Sequence, residues 1–113
     1  MFELSPATRV YVVTGPTDMR KSFKGLKAIV ENDVKLDPLS GHLFVFCNRN
    51  RNRIKVLFWD RSGLWVCAKR LEQGTFAWPD TAEKAAELNP GELTALLHGI
   101  DLHPARSRKW FRK

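Results

Sequence analysis

The chain is poor in the residues that build staples, metal sites and membrane spans. It has two cysteines, three histidines, one tyrosine and two methionines in 113 residues. Cys47 and Cys67 form no CxxC pair, and His42, His98 and His103 are scattered. Neither a disulfide framework nor a zinc site follows from such spacing. Buried reduced thiols are the expectation. No apolar run approaches the roughly 20 residues that a transmembrane helix needs. The start, MFELSPATR, lacks a basic end followed by an apolar stretch, so a secretory signal is not expected. A cytoplasmic protein with no membrane partner is the reading. No HExxH, phosphate loop or GxSxG elbow occurs, and Thr14-Gly15-Pro16-Thr17 lacks the lysine of a phosphate loop. Internal repeats and low-complexity tracts are absent too.

Charge of both signs is present, but unevenly. Net charge is +7 and the pI about 9.9. Residues 1–71 carry thirteen Lys and Arg against six acids, residues 72–101 one Lys against six acids, and residues 102–113 five cations and no acid. The order is basic body, acidic segment, basic tail. Such a balance favours anionic partners, nucleic acid first. Hydrophobic content of 43% is that of an ordinary globular chain. The length fits a single domain, here 1–101, with a basic tail over 102–113.

Local patterning predicts a small α+β fold. Arg9–Thr14 is β-branched and reads as a strand, broken by Gly15-Pro16. Asp18 is placed to cap a helix over Met19–Glu31. Met19, Phe23, Leu26 and Val30 recur at helical spacing as a core stripe. Arg20, Lys24 and Lys27 form a second stripe beside it. Gly25 inside that helix points to a close approach against a sheet. Three strands follow, His42–Cys47, Arg53–Trp59 and Leu64–Leu71. Asn48–Asn52 joins the first pair, and Asp60–Gly63 the second, with Gly63 expected to supply a positive φ. The two-residue period places Leu43, Val45 and Cys47 on one face and Phe44 and Phe46 on the other. Ile54, Val56 and Phe58 oppose Leu57 and Trp59 in the same way. Both faces are apolar, so one takes the helix. The C-terminal segment, a second copy or a ligand must cover the other. Gly74–Pro79 reads as a loop or edge piece and Asp80–Leu88 as an acidic helix. Asn89-Pro90-Gly91-Glu92 is a helix start, and Leu93, Leu96 and Leu97 are its buried stripe. The architecture is a mostly antiparallel sheet with one helix packed on a face and a C-terminal helical segment.

Metal-dependent strand transfer needs two or three converging carboxylates. Asp18, Asp37, Asp60, Asp80 and Asp101 sit instead at turns and helix ends, where capping explains them. No catalytic residue, metal ligand or cofactor site is assigned. A nuclease whose acids, Asp18 and Asp60 among them, converge only in three dimensions is the weaker alternative. The hairpin tip is the stronger signal. Arg49, Arg51 and Arg53 alternate with asparagines, and Lys55 extends the row. Guanidinium forks match phosphate oxygens, asparagine can read base edges, and a two-stranded ribbon fits a major groove. Arg20, Lys24 and Lys27 add to the basic surface. The tail sets Arg106, Arg108, Lys109, Arg112 and Lys113 around Trp110 and Phe111, a composition suited to phosphate contact with base stacking. Phe44, Phe46, Trp59 and Trp65 are the candidates for docking a partner protein on an apolar sheet face.

Three stretches carry a resemblance. VYVVTGPTDMRKSFKGL, DPLSGHLFVFCNRNRNRIKVLFWDRSGLWVCAKRLEQGTFAWP and GELTALLHGID occur in order from Arg9 to Asp101. Together they resemble the TnpB accessory protein of the insertion sequence 66 family, the product of the element's second reading frame. That resemblance implies a small protein of a bacterial mobile element that assists DNA transposition, while a separate, larger protein supplies the transposase chemistry. It implies no catalytic residue. The implied partners are DNA and the transposase, with a homo-oligomer left open. An adaptor without DNA contact is the other reading. The three stretches end at Asp101, so the tail is read from composition alone.

Overall fold

Leu43–Cys47 is a run of five apolar residues, and every one of them is buried. A strand buried on both faces belongs in the middle of a sheet, and there it lies. The fold comes from a computed structural model, and the structure describes residues 7–98. The strands are β1 (Val10–Pro16), β2 (Leu43–Cys47), β3 (Arg53–Trp59), β4 (Leu64–Arg70) and β5 (Ala85–Leu88). Their spatial order is β4-β3-β2-β1-β5. β1 and β2 run parallel and every other pairing is antiparallel. A parallel pair cannot be closed by a tight turn. Helix α1 (Phe23–Ile29) supplies the crossover between its strands. The fold is therefore the small α+β domain expected, with its mostly antiparallel sheet.

The two-residue period sorts the core into two clusters. Val13, Leu26, Val30, Phe44, Phe46 and Leu57 fill the α1 side. Val10, Val12, Leu43, Val45, Ile54 and Val56 look the other way, under Leu93 and Leu96 of helix α2 (Pro90–Leu97) and under Phe76. Among the covers sequence left open for this second face, the C-terminal segment takes the role. Cys47 is buried there and Cys67 half-buried, neither in a disulfide. Burial pushes the Cys47 thiol up, against the opposing pull of the Arg51 guanidinium.

Several local expectations are corrected. α1 begins at Phe23, because the Asp18 carboxylate accepts the Arg20 N–H at 2.9 Å and folds residues 18–21 into a turn. Asp18 is thus not the cap; Ser22 holds that position without a side-chain bond. Phe23 is 48% exposed and does not belong to the core stripe. Past Ile29 the chain makes a π-helical turn, Val30–Val34, which Lys35 ends at φ 65°. Gly25 leaves room for Lys21 rather than for the sheet: a Cβ there stands 3.1 Å from the Lys21 stem. Arg61, at φ 82°, carries the positive φ expected of Gly63. Asp80–Leu88 is not a helix. Residues 80–84 form a loop and Ala85–Leu88 pairs with Val10–Val13. β1's open edge had backbone groups to satisfy, and that demand outweighs the helical propensity of a short alanine-rich stretch.

α2 starts as its sequence implies. Asn89 Oδ1 accepts the Glu92 N–H at 2.8 Å and Glu92 Oε1 accepts the Asn89 N–H at 2.9 Å, a complete capping box. Asn89→Ala is expected to lower stability by about 1 kcal/mol. Phe44→Ala empties a site closed on all sides and is expected to cost about 3–5 kcal/mol. Urea unfolding followed by tryptophan fluorescence checks both, and comparable losses in the two variants would contradict this account of the core.

Candidate nucleic-acid interface

The turn between β2 and β3 is organised by one side chain. Asn48 Oδ1 accepts the backbone N–H groups of Asn52 and Arg53, each at 3.0 Å. Asn48 Nδ2 donates to Asn52 Oδ1 at 2.8 Å. Arg51 takes φ 58° inside this closed loop. The consequence is a sorting of the three arginines. Arg49 and Arg53 point to solvent. Arg51 turns inward, donates from Nη2 to the Thr14 carbonyl at 3.4 Å and lies 5.6 Å from the centre of the Trp78 ring. Trp78 is fixed in turn by its Nε1–H on the Val13 carbonyl at 2.9 Å. The Arg51 carbonyl accepts the Phe76 N–H at 2.6 Å. Arg51 thus pins the 71–84 segment to the sheet and is a structural residue.

Beside the turn lies a groove of about 820 Å³, lined by Met19, Arg20, Asn48, Arg49, Asn50 and Arg53 among others. A second groove of about 330 Å³ shares Met19 and Arg53 with it and runs on to Lys55 and Arg70. The two form one trough along the end of the sheet where β3 begins and β4 ends. Arg20 stands at its rim with 92% of its side chain exposed, held by Asp18 at 2.7 Å. Lys55 is half-buried and donates to the Lys21 carbonyl at 2.7 Å. Lys24 is exposed on α1 and Lys27 half-buried. Of the predicted contact residues, the trough gathers Arg20, Arg49, Arg53 and Lys55, leaves Lys24 and Lys27 on the helix, and has the half-buried Arg51 turned away toward Trp78. Arg106, Arg108, Lys109, Arg112 and Lys113 lie outside the described residues.

Arg70 belongs to the trough and was missed. It sits directly across from Arg53 in the β3–β4 ladder. Like charges facing each other across a sheet are unfavourable, and Glu72, 3.3 Å from Arg70, offsets them in part. The signal was available: Asp60 and Gly63 close the hairpin, and counting back from that turn brings Arg53 opposite Arg70.

The other end of the sheet is aromatic. Asp60 Oδ1 accepts from Ser62 N, Ser62 Oγ and Gly63 N, each at 3.0 Å, and Oδ2 accepts the Trp65 indole N–H at 2.6 Å. Trp65 is 49% exposed and stacks on Phe58 at 6.1 Å and 6°. Trp59 is half-buried beside Leu39, His42 and Arg61 in a groove of about 540 Å³. Phe44 and Phe46, by contrast, are sealed beneath α1 and have no surface for a partner. Asp18 and Asp60 stand past opposite ends of β3, roughly 20 Å apart by the rise of a strand, so they share no ion. Among the described residues no group of three His, Cys, Asp or Glu is placed to hold a metal, and no helix is long and apolar enough to cross a membrane. A cleft of about 590 Å³ near Trp78 mixes Asp33, Asp80 and Glu83 with Arg51 and Lys84, and so favours no one sign of ligand.

Residues 8–107 match the model of a family described as IS66 Orf2-like protein. The chain belongs to that family. Membership points to an accessory role in the transposition of a bacterial insertion sequence. Two curated relatives come from Sinorhizobium fredii strain NGR234. The uncharacterised protein y4hO is 43% identical over 97 residues, 85% of this chain and 84% of its own. The uncharacterised protein y4jC is 35% identical over 97 residues, 86% of this chain and 83% of its own. No solved structure matches the chain.

Asp18 and Asp60 both titrate at about 2 instead of 3.8, Asp18 chiefly through the Arg20 side chain and Asp60 chiefly through the Trp65 indole. A depressed carboxylate stabilises the fold above its unfolded pKa, and that contribution is lost as pH falls through the folded one. Both groups are solvent-exposed, so the effect on stability is small. The expected signature is local: tryptophan fluorescence shows a step centred near pH 2, where the Asp60 carboxylate takes up its proton and releases the Trp65 indole, and Asp60→Asn flattens that step. An unchanged step in Asp60→Asn would break the link between Asp60 and the indole.

Proposed function

We propose that this protein is a non-catalytic accessory factor of transposition that binds DNA through the trough of Arg20, Arg49, Arg53, Lys55 and Arg70. The observation that carries the reading is the pairing of Arg53 with Arg70 across β3 and β4, beside the exposed Arg49 of the Asn48 turn. Two guanidinium groups facing each other beside an exposed counter-charge are relieved by a phosphate between them. The exposed Lys24 extends the same basic side. The tail cations Arg106, Arg108, Lys109, Arg112 and Lys113 add sequence-independent attraction. Family membership supports a setting in the bacterial cytoplasm, where the element's transposase performs the chemistry and this protein assists it.

A second contact is favoured by one specific observation. The half-exposed Trp65 and half-buried Trp59 lie at the end of the sheet away from the trough. Tryptophan and arginine dominate protein interfaces energetically, and Arg61 stands beside Trp59. In this reading the aromatic end meets the transposase while the basic end meets DNA. A protein adaptor without DNA contact would use the aromatic end alone.

The test is binding of the full chain to a labelled duplex across a salt series. The logarithm of affinity is expected to fall linearly with that of salt, and the slope to lessen by about 0.9 for each phosphate contact removed. Arg49→Ala, Arg53→Ala and Arg70→Ala each lessen it. Arg51→Ala instead lowers thermal stability, because its guanidinium pins Trp78. Affinity flat in salt would leave the adaptor reading standing and remove the DNA one.

A further inference from the structure

Strand β4 is an outer strand of the sheet, seven residues long, and among the described residues it is hydrogen-bonded on the β3 side only. Edges of that length are normally guarded by proline, bulges or inward charges. Leu64-Trp-Val-Cys-Ala-Lys-Arg70 contains no proline and pairs with β3 without a register shift. Its two cations are already engaged. Lys69 Nζ donates to the Leu97 carbonyl at 2.5 Å, at the end of α2, and Arg70 holds Glu72 at 3.3 Å. The opposite edge, β5, has four residues and runs into the capped start of α2.

The hairpin fixes which groups face outward. Asp60 N–H bonds to the Gly63 carbonyl and Leu71 N–H to the Asn52 carbonyl. Antiparallel pairs alternate between bonded and unbonded, so Trp65, Cys67 and Lys69 direct their backbone groups at β3. Leu64, Val66, Ala68 and Arg70 direct theirs outward. We propose that β4 pairs antiparallel with β4 of a second copy, making a two-fold dimer with one continuous sheet centred on Cys67.

The strand is its own complement in that register. A two-fold antiparallel pair must keep like faces together, so it is centred on a residue. Centring on Cys67, the midpoint, overlaps the whole strand. Val66 then exchanges backbone bonds with Ala68 of the other copy, and Leu64 with Arg70. Trp65 faces Lys69 and Leu64 faces Arg70, so a cation meets an apolar side chain and no two cations meet. Sliding the centre to Val66 sets Arg70 against the Ser62 turn, and sliding it to Ala68 leaves Leu64 beyond the paired region. The two Cys67 residues become an unbonded pair, whose Cα separation of about 4.5 Å lies within disulfide reach.

The experiment is light scattering on the reduced full chain over a concentration series, followed by mild oxidation with diamide, which accepts the two electrons and two protons that disulfide formation releases. A dimer is expected that loses its association in Ala68→Pro, which removes an outward N–H and leaves the β3 ladder intact. Ala68→Glu, an exposed substitution that buries a charge only on pairing, is expected to do the same and covers the case in which the proline variant folds poorly. Oxidation should give a covalent dimer in wild type and in Cys47→Ser, and none in Cys67→Ser. A monomer at every concentration would overturn the proposal. So would a dimer that survives both Ala68 substitutions and yields no Cys67 cross-link.

Discussion

Everything in this fold follows from β2 being apolar on both faces. Leu43, Val45 and Cys47 look one way and Phe44 and Phe46 the other. Neither set can be left wet: each fully buried large side chain contributes about 1.5–3 kcal/mol of transfer free energy. The sheet must therefore be covered twice. The β1–β2 crossover brings α1 over Phe44 and Phe46, because a parallel pair requires a long connection and the helix is that connection. The second cover comes from the chain beyond β4, through Phe76, Trp78 and α2. A domain of this size has little core to spare, and both its covers hang on five central residues.

Holding that second cover down draws on the basic turn. Arg51 sits in an Asn-rich loop that reads as a uniform cationic tip, yet its guanidinium lies against Trp78 and its carbonyl takes the Phe76 N–H. The same turn exposes Arg49 and Arg53. One loop thus serves both the fold and the surface, and Asn48 divides the two by fixing the backbone between them. The two ends of the sheet then differ in character. Arg20, Arg49, Arg53 and Arg70 gather where β3 begins, and Trp59 and Trp65 gather where it ends. Separation along a strand keeps cations and exposed aromatics from competing for one patch.

Periodicity and turn chemistry were legible in the residues. Strands β2, β3 and β4, the sorting of their faces and the Asn89 capping box depend on neighbours within a few positions. Backbone bonding and side-chain alternation act at that range. The family resemblance was legible for the same reason, since its motifs are local stretches in a fixed order. Other features turn on contacts between distant segments. Asp80–Leu88 has helical composition, and the open edge of β1 made part of it a strand. Phe44 and Phe46 look like exposed aromatics on a sheet face until α1 is laid over them. Arg51 is indistinguishable from Arg49 in the sequence; the ring of Trp78 decides between core and surface. Local propensity is worth tenths of a kcal/mol per residue, whereas one buried group or satisfied edge is worth several times that. So the residues by themselves determined four of the five strands, the turns that join the three consecutive ones and how their faces alternate. The tertiary structure alone decided what covers each apolar face, which cation is held against Trp78 and which remain for a partner.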